Sequence, residues 1–449
     1  MNQLYAGFGR ANITPMMGIS IDGYFHPRYA EGVLDELQVD ALALAVGEKK
    51  VVLLSFDNCI SHTKFIDRCR ENVSKTCSIP VEAVYVHATH THTAPVVLDP
   101  AETDDVLIKE YSQFVIHKMA DAAKAAFDDL KPSKMGYGIG NAPNVAFVRR
   151  FRMKDGSIKT NPGVGNPEIV EPVGNVDERV NVLRFDQEGG KSFVLVNFGN
   201  HPDVVGGSKI SADWPGQLRM TVEKTIDNSR CIFFNGAQGD INHVNVFPKP
   251  GFLNDTFHDF DDVSRGYGHA RYMGRVVTGA VLQAYDKVNF VDVDSLEFAN
   301  RTIQVPSQMP SPEEVPEAIR INDLHLAGRD DELPYEGMML TTVVAEAGRM
   351  VRLKDGPESF PLTLSAVVIG SVALAGIPGE PFNGVGIALK ETEGFDLVLP
   401  TCITNGYEGY FPMKDCYEEG GYETRSAVYK CGVAELIIDE SKKMLKEIK

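Results

Sequence analysis

The sequence has no closely paired cysteines. Its seven cysteines are scattered over 449 residues, are odd in number and form no C-x-x-C pair. This distribution argues against a disulfide framework and against a zinc site built from thiolates, and it is typical of a reducing compartment. The N-terminal residues also lack the basic and then apolar pattern of a signal peptide. We therefore expect a cytoplasmic protein.

Positive charge and long apolar runs are scarce as well. There are 44 Lys and Arg residues against 62 Asp and Glu residues, which gives a formal net charge of −18. Binding to nucleic acid or, through charge, to an anionic membrane needs a basic surface, so neither partner is expected. No run reaches the roughly 18 to 20 apolar residues of a membrane-spanning helix. With 43% hydrophobic and 24% charged residues, the composition is that of a globular protein.

What the sequence does have is a group of histidines in residues 84–95, which read VYVHATHTHTAP. An apolar run leads to His87, His90 and His92, and a proline ends the segment. His90 and His92 are two residues apart, so on an extended backbone both point to the same side. Neutral imidazole is the commonest zinc ligand in proteins. A lone H-x-H is more often a pair of ordinary loop histidines, so its interpretation depends on the other segments.

The same arrangement recurs along the chain: a buried strand leads to a turn of small residues or proline that carries a ligand-type side chain. Such turns occur at His90, His201, Asp240, Glu380 and Tyr410. Because loops at strand ends often carry functional groups, the five turns predict that one side of a sheet system gathers metal ligands and catalytic groups. A basic cluster at residues 147–155, FVRRFRMKD, offers arginines for a substrate carbonyl.

The hydropathy pattern predicts an α/β fold of mixed sheets with flanking helices, forming one large catalytic domain over residues 1–449. Residues 37–46 and 50–56 are expected to pair as a β-hairpin. Residues 305–356 stand apart as an inserted or linker-like segment: residues 310–332 are polar and helical, and the part up to Gly356 is the most linker-like. Residues 426–448 are predicted to form the final helix.

Taken together, the short blocks from GFGRANITP at residues 7–15 to GGYE at residues 420–423 resemble the catalytic domain of the neutral/alkaline, non-lysosomal ceramidases. Members of that family are zinc-dependent amidases that cut the amide bond of N-acylsphingosines. The resemblance implies one zinc ion per chain with four ligands, namely His90, His201, Glu380 and Tyr410. It also implies three groups at the substrate carbonyl: His92, Arg149 (or its neighbour Arg150) and Tyr422.

Two departures from the family pattern bear on the substrate. Residues 239–243 read GDINH where the family has G-D-x-S-P, so Asn242 replaces a serine that contacts the scissile amide, and the role of His243 is open. A mechanism with a serine nucleophile at that position is excluded. Family members are also typically secreted or surface-exposed and carry an additional β-sandwich after the catalytic domain. We expect a short form without that β-sandwich, acting on ceramide-like or smaller amides.

Two imidazoles, a carboxylate and a phenol oxygen would leave one position on zinc for water, which is the arrangement of a catalytic site. Zinc lowers the pKa of such a water to roughly 7 and thereby supplies hydroxide at neutral pH. His92, Arg149 and Tyr422 would then stabilise the oxyanion formed from the amide carbonyl. Asp57 and Asp240 are candidates to orient the imidazoles.

Two alternatives use the same residues. An esterase or lactonase would need the same zinc site, because ester and amide hydrolysis pass through the same tetrahedral oxyanion. A catalytically inactive homologue would bind only a metal or a ligand, and Asn242 is the main support for it. The oligomeric state is not predicted by any feature of the sequence.

Overall fold

A computed structural model describes residues 3–248, 257–261 and 263–449. Within these ranges the helices are α1 (Thr63–Cys77), α2 (Val106–Asp128), α3 (Asp213–Thr225), α4 (Tyr267–Tyr285), α5 (Val315–Leu326), α6 (Gly337–Leu353), α7 (Asn383–Lys390), α8 (Cys416–Glu419), α9 (Tyr422–Ser426) and α10 (Val433–Ile448).

The strands in the same ranges are β1 (Leu4–Asn12), β2 (Ser20–Ile21), β3 (Arg28–Tyr29), β4 (Gly32–Val33), β5 (Gln38–Val46), β6 (Lys49–Phe56), β7 (Val84–Ala88), β8 (Lys131–Asn141), β9 (Phe147–Val148), β10 (Arg150–Met153), β11 (Ile158–Thr160), β12 (Ile169–Pro172), β13 (Arg179–Gln187), β14 (Ser192–Phe198), β15 (Lys209–Ile210), β16 (Ser229–Asn235), β17 (Ile241–Asn242), β18 (Phe257–His258), β19 (Ser264–Arg265), β20 (Asn289–Val291), β21 (Leu296–Pro306), β22 (Ser359–Ile369), β23 (Val372–Gly376), β24 (Glu380–Pro381), β25 (Leu397–Thr401) and β26 (Tyr410–Phe411).

Two sheets form the frame of the molecule. The larger has nine strands among the described residues, in the order β16-β14-β13-β8-β1-β5-β6-β7 with β20 beside β8, and the smaller has the order β21-β22-β23-β25. β5 and β6 pair as the antiparallel hairpin that the sequence predicts, with Val39 opposite Phe56. β7 lies parallel to β6, β16 parallel to β14 and β25 parallel to β23. The predicted α/β fold of mixed sheets with flanking helices is confirmed.

The larger sheet is buried on both faces, which explains the near-continuous apolar runs in its strands. Along β5, Ala41 and Ala43 face helices α1 and α2, whereas Leu42 and Leu44 face the four-stranded sheet. This alternation follows the two-residue period of a strand. Helices α3 and α4 cover the β13–β14–β16 half of the larger sheet, and α7 and α10 cover the outer face of the smaller one.

The two ends of the larger sheet approach each other through a buried histidine. Nε2 of His87, in β7, accepts a hydrogen bond of 2.9 Å from the backbone N–H of Asn235, in β16. Burial lowers the pKa of His87 to about 3, so the ring stays neutral and keeps its acceptor. The carbonyl of Asn235 in turn accepts from the N–H of Cys402, just after β25. The carboxyl ends of β7, β16 and β25 therefore lie side by side.

The C-terminal third differs from the sequence-based expectation in two places. The part up to Gly356, expected to be linker-like, contains α6, which packs against α5 around a small core of its own: Ala318, Ile321, Leu333, Val343, Val344, Ala347 and Met350. We call α5 and α6 the helical hairpin. The final helix begins at Val433 and not at residue 426, because Gly432 adopts a positive φ of 99° that separates α10 from α9.

Of the helices in the described ranges, none combines the length and the apolar character that crossing a membrane requires.

Candidate metal centre

Three ligand-type side chains are delivered by three separate strand ends. His90 follows β7, His201 follows β14, and Glu380 begins β24 shortly after β23. His90 has a positive φ of 75°, which is uncommon for a residue with a side chain and points to a functional constraint. Its backbone N–H donates to the carbonyl of Asn58 at 2.8 Å, which holds this turn in place.

The ligand atoms of His90, His201 and Glu380, which we call the triad, converge on one point. The two Nε2 atoms are 3.1 Å apart, and Oε2 of Glu380 lies 3.3 Å from that of His90 and 3.2 Å from that of His201. All three side chains are almost fully buried. Ligand atoms at 2.0–2.1 Å from a tetrahedral zinc ion lie about 3.3 Å from each other. The spacing of the triad therefore fits such an ion.

Both imidazole rings are held in the same tautomer. Nδ1 of His90 lies 3.0 Å from the carbonyl oxygen of Cys59, and Nδ1 of His201 lies 3.1 Å from that of Gln238. A carbonyl only accepts, so each Nδ1 carries the hydrogen and each neutral ring presents a lone pair at Nε2. Two lone pairs and a carboxylate oxygen at this distance need a positive charge between them. Burial alone would lower the pKa of His90, yet the carboxylate of Glu380 raises it. A proton can supply the positive charge between the three groups, and so can a metal cation.

Glu380 is held by two further groups. Burial favours its neutral form, but the two imidazoles outweigh this and hold the pKa of Glu380 well below its usual value. Tyr407 donates its hydroxyl to Oε1 at 2.7 Å, and Nε2 of Gln238 donates to Oε2 at 3.3 Å. Tyr407 was not among the predicted site residues. A signal for it exists, because the N-x-Y-x-x-Y segment that points to Tyr410 contains both tyrosines.

The structure places Arg149, and not Arg150, beside the triad. Its Nη1 lies 3.5 Å from Nε2 of His201, and its Nε donates to Oε1 of Glu423 at 2.7 Å. The buried Glu423 thereby fixes the direction of the guanidinium. Arg150 points away and contacts Sγ of Cys416 at 2.9 Å.

Two tyrosines complete this side of the site. Tyr410 pairs with Glu380 across the short parallel bridge between β26 and β24. The ring of Tyr422 meets that of Tyr410 edge to face, with the centroids 5.6 Å apart. Burial, with the nearby charge of Glu380, raises the pKa of both phenols above the usual value, so each keeps its proton at neutral pH.

His92 borders the triad on the opposite side. Its Nε2 lies 3.2 Å from Nε2 of His90, and its Nδ1 lies 3.6 Å from Oδ1 of Asp203. Burial lowers the pKa of His92 well below the usual value. Nη2 of Arg28 donates to the carbonyl of His92 at 2.7 Å and fixes the backbone there.

A small cleft of about 50 Å³ opens above the triad. Its walls include Tyr24, Phe25, His92, Arg149, Asn161, Asp203, Tyr410 and Tyr422, together with Met338 and Thr341. The last two belong to α6, so the helical hairpin forms one wall of the cleft. The sequence could not reveal this wall, because the segment that forms it has the pattern of a linker.

Asn242 lies behind the cleft wall. Its Nδ2 donates to Oδ1 of Asn161 at 2.8 Å, and its Oδ1 accepts from the N–H of Val244 at 3.0 Å. Asn161, which lines the cleft, has a positive φ of 48°. Asn242 thus contacts a residue of the cleft wall. His243, whose role was open, lies 2.6 Å from the carbonyl of Ser264 through its Nε2.

The two aspartates expected to orient the imidazoles have other partners. Asp57 accepts from Nη1 and Nη2 of Arg219 at 2.9 and 2.6 Å. Asp240 accepts from the N–H of Asn383 at 2.7 Å, at the start of α7. The imidazoles are oriented instead by the backbone carbonyls described above, which corrects the prediction.

Comparison with known proteins identifies relatives by fold alone. The sequence matches no family model and no curated protein. Among solved structures, the neutral ceramidase from Pseudomonas aeruginosa matches with a TM-score of 0.73 and 16% identity, over 100% of this chain and 75% of that one. A ceramidase complexed with C2 matches with a TM-score of 0.72 and 16% identity, over 100% of this chain and 76% of that one. The chain therefore has a ceramidase-like fold.

Proposed function

We propose that the protein is a zinc-dependent hydrolase that cleaves a carboxamide. The observation that carries this proposal is the triad: two Nε2 lone pairs and a carboxylate oxygen at mutual distances of 3.1–3.3 Å, in a buried position at the floor of a cleft. The likeness of the fold to ceramidases supports an amide as the bond that is cut.

His90, His201 and Glu380 would hold the ion, and Tyr410 would supply the fourth ligand. Nitrogen and carboxylate donors with three or four protein ligands suit zinc. When bound, zinc acidifies a water molecule and polarises a carbonyl oxygen. Tyr407 holds the carboxylate of Glu380, and the carbonyls behind both imidazoles keep their lone pairs directed inward.

The remaining groups act on the substrate. The guanidinium of Arg149, fixed by Glu423, and the protonated phenol of Tyr422 face the cleft where a carbonyl oxygen gains negative charge. Each such donor contributes on the order of 3 kcal/mol in the transition state. His92 is neutral at rest because burial lowers its pKa, so it would take up the proton that the attacking water releases and pass it to the leaving amine, with Asp203 beside its Nδ1.

The first test is the zinc content of the purified protein. We expect one zinc per chain in the wild type and a loss of zinc in His90→Ala, measured by elemental analysis after dialysis. His117→Ala is the matched control, because His117 lies on the exposed face of α2, where its ring contacts the side chain of Gln113 at 3.1 Å. Wild-type protein without stoichiometric zinc, or His90→Ala protein that retains it, would contradict the proposal.

The second test concerns the bond that is cut. Zinc-loaded protein is assayed on N-acyl amides and on esters with the same acyl chain. Release of the amine supports the proposal. Hydrolysis of the esters alone would identify an esterase or lactonase, and saturable binding without hydrolysis would identify a binding protein.

A further inference from the structure

A second cavity adjoins the cleft. It has a volume of about 320 Å³ and shares Phe25, Tyr410 and Tyr422 with the cleft. One face of α6 runs past both spaces. Met338 and Thr341 line the cleft, and Ala345, Gly348, Arg349 and Arg352 line the second cavity at helical spacing. A substrate bound at the triad can therefore extend into the second cavity between these aromatic rings.

Most of the wall of this cavity is apolar. Ile60, Tyr407, Ala345, Gly348 and Val428 contribute to it beside the shared aromatic rings. Such a surface suits an alkyl or aryl arm of a substrate, with a few polar groups to fix its end. The class of ligand that this cavity can bind is set by the polar groups in its wall.

The first polar group is the guanidinium of Arg349, which is 7% exposed. Its Nε donates to the carbonyl of Arg425 at 2.8 Å and its Nη1 to that of Gln308 at 2.5 Å. Both acceptors are uncharged. Its contact with Glu346 is longer, at 3.9 Å, and Glu346 is engaged by Arg425 at 2.5 Å. The short hydrogen bonds of Arg349 thus go to uncharged groups, and its charge is offset only at longer range, by the carboxylates of Glu346 and Glu314.

The second polar group is Arg352, an exposed side chain in the last turn of α6 at the rim of the cavity. The carboxyl of Glu408 lines the same space. It accepts from Oγ1 of Thr63 at 3.0 Å, and burial raises its pKa although the nearby charge of Arg352 acts against that rise. Beside the three tyrosines, His62 is the remaining titratable side chain that lines this cavity. Two guanidinium groups thus face one engaged carboxyl, in a protein whose net charge is −18.

We propose that this second cavity binds an anionic group at the end of an apolar arm of the substrate, and that Arg352 and Arg349 recognise it. Guanidinium groups bind carboxylate, sulfonate and phosphate oxygens in a forked geometry, which makes them selective for such ends. The inference rests on the proposed function. Its substrate class is an amide with a negative charge on its acyl or its amine arm.

The geometry also places the charge far from the reacting bond. Because an α-helix rises 1.5 Å per residue, Arg352 lies about 16 Å further along the axis of α6 than Thr341, which lines the cleft. A substrate with its charged group directly next to the amide could not place that group at Arg352. The preferred arm is therefore long, with the anionic group at its far end.

Binding is tested without catalysis, on metal-free protein, with decanoate as the probe and decanol as its uncharged match. By titration calorimetry we expect decanoate to bind more tightly than decanol, and Arg352→Gln to weaken decanoate binding about tenfold. Lys354→Gln is the matched control, since it removes a positive charge just after α6 at a residue that does not line the cavity. Equal binding of decanoate and decanol, or equal effects of the two variants, would overturn the proposal.

Kinetics then identify the arm that carries the charge. Two series of amides end in a carboxylate on the acyl arm or on the amine arm, each compared with an uncharged match. We expect Arg352→Gln to raise KM about tenfold for one of the two carboxylated series, to change kcat little, and to leave the uncharged amides unaffected. Hydrolysis of amides without any dependence on the charge refutes this inference alone. Decanoate binding that depends on Arg352, without hydrolysis of any amide, refutes the proposed function alone.

Discussion

At the scale of single residues, the candidate site depends on which nitrogen of each ligand-type histidine carries the hydrogen. The rings of His90 and His201 are each oriented by a backbone carbonyl, so their tautomers do not depend on an acidic side chain. Backbone carbonyls exist at every residue, and this support therefore leaves no trace in a sequence. The prediction that Asp57 and Asp240 orient the imidazoles is wrong for this reason, because backbone carbonyls orient both rings.

Tyr407 offers a direct test of this support. Its hydroxyl donates to Oε1 of Glu380, and we expect Tyr407→Phe to weaken zinc binding about 10- to 100-fold, because a ligand carboxylate loses its anchoring partner. Competition with a chelator of known affinity measures this. Tyr417→Phe removes a comparable bond, to the carbonyl of Tyr429, away from the triad, and should leave zinc affinity unchanged. Equal zinc affinity in Tyr407→Phe and wild type would contradict the expectation.

Asp240 gives a prediction for pH. Burial raises its pKa to about 6 from an ordinary value of 3.8, so between pH 4 and 6 the folded protein holds a proton that the unfolded chain has released. Its contribution to stability therefore falls as the pH rises through this window. The substitution Asp240→Asn keeps an acceptor for the N–H of Asn383 and removes the titration. It should therefore gain about 2–3 kcal/mol relative to wild type between pH 4 and 7.

Urea unfolding of both proteins at several pH values measures this difference. The control is Asp286→Asn, an exchange of an exposed carboxylate, for which the difference from wild type should not vary over the same range. A constant difference for Asp240→Asn would show that the carboxyl is ionised in the folded protein throughout.

The turns after apolar runs mark all three members of the triad, but they mark Asp240 and Tyr410 as well, and the choice of ligands among these five rests on the resemblance to the ceramidases. The structure brings these three side chains together, and their role as ligands stays a prediction. Asn161 and Asp203 could not be selected in the same way. Asn161, which lines the cleft, is held by a hydrogen bond from Asn242, far away in the chain, and such pairing has no local pattern.

At the scale of elements, the close approach of α2 to β1 depends on two glycines. A Cβ at Gly9 would lie 2.1 Å from the carbonyl oxygen of Ala122, and one at Gly7 would lie 2.2 Å from that of Ala126. No side chain fits at these distances, so the helix would have to move away from the strand.

We expect Gly9→Ala to destabilise the protein by about 1–3 kcal/mol through this overpacking. Gly279→Ala is the matched control, because a Cβ there points into open space on α4. It should stabilise by about 0.5–1 kcal/mol, since alanine is the better helix former. Denaturant midpoints of the two variants, compared with wild type, measure both effects, and a neutral Gly9→Ala would show that α2 can shift without loss.

The elements that were predicted well are those with a strong pattern. The β5–β6 hairpin is apolar on both faces and has a short connection, and both features are visible in the sequence. Of the helical hairpin, α5 lies in residues 310–332, which the sequence predicts to be helical, whereas α6 was not predicted. Part of the apolar surface of the hairpin is exposed, including Leu326 at 76% and Met339 at 41%. Another face of α6 lines cavities and not a core, so its sequence pattern is irregular.

At the scale of the whole molecule, the triad joins parts of the chain that belong to different sheets. His90 and His201 follow strands of the larger sheet, and Glu380 follows β23 of the smaller one. An ion held by all three therefore links the two sheets, and the unfolded chain has no such site.

Metal removal should accordingly lower stability. We expect a chelator to reduce the midpoint of thermal unfolding and added zinc to restore it, with a gain of about 4 kcal/mol when free zinc is about 1,000 times its Kd. Glu380→Gln should show almost no zinc-dependent shift, and Glu358→Gln, an exposed exchange elsewhere, should behave as wild type. A midpoint that ignores zinc in the wild type would contradict a metal link between the sheets.

The helical hairpin has an evolutionary consequence. The residues that would perform the reaction stand on strands, on the turns beside them and at the start of α9, whereas α6 supplies a separate boundary to the space in front of them. Exchanging the helical hairpin between related proteins would change which substrates bind and leave the reacting residues in place. Diversification of this scaffold should accordingly concentrate in one short stretch, and grafting that stretch is a direct route to enzymes with new selectivity.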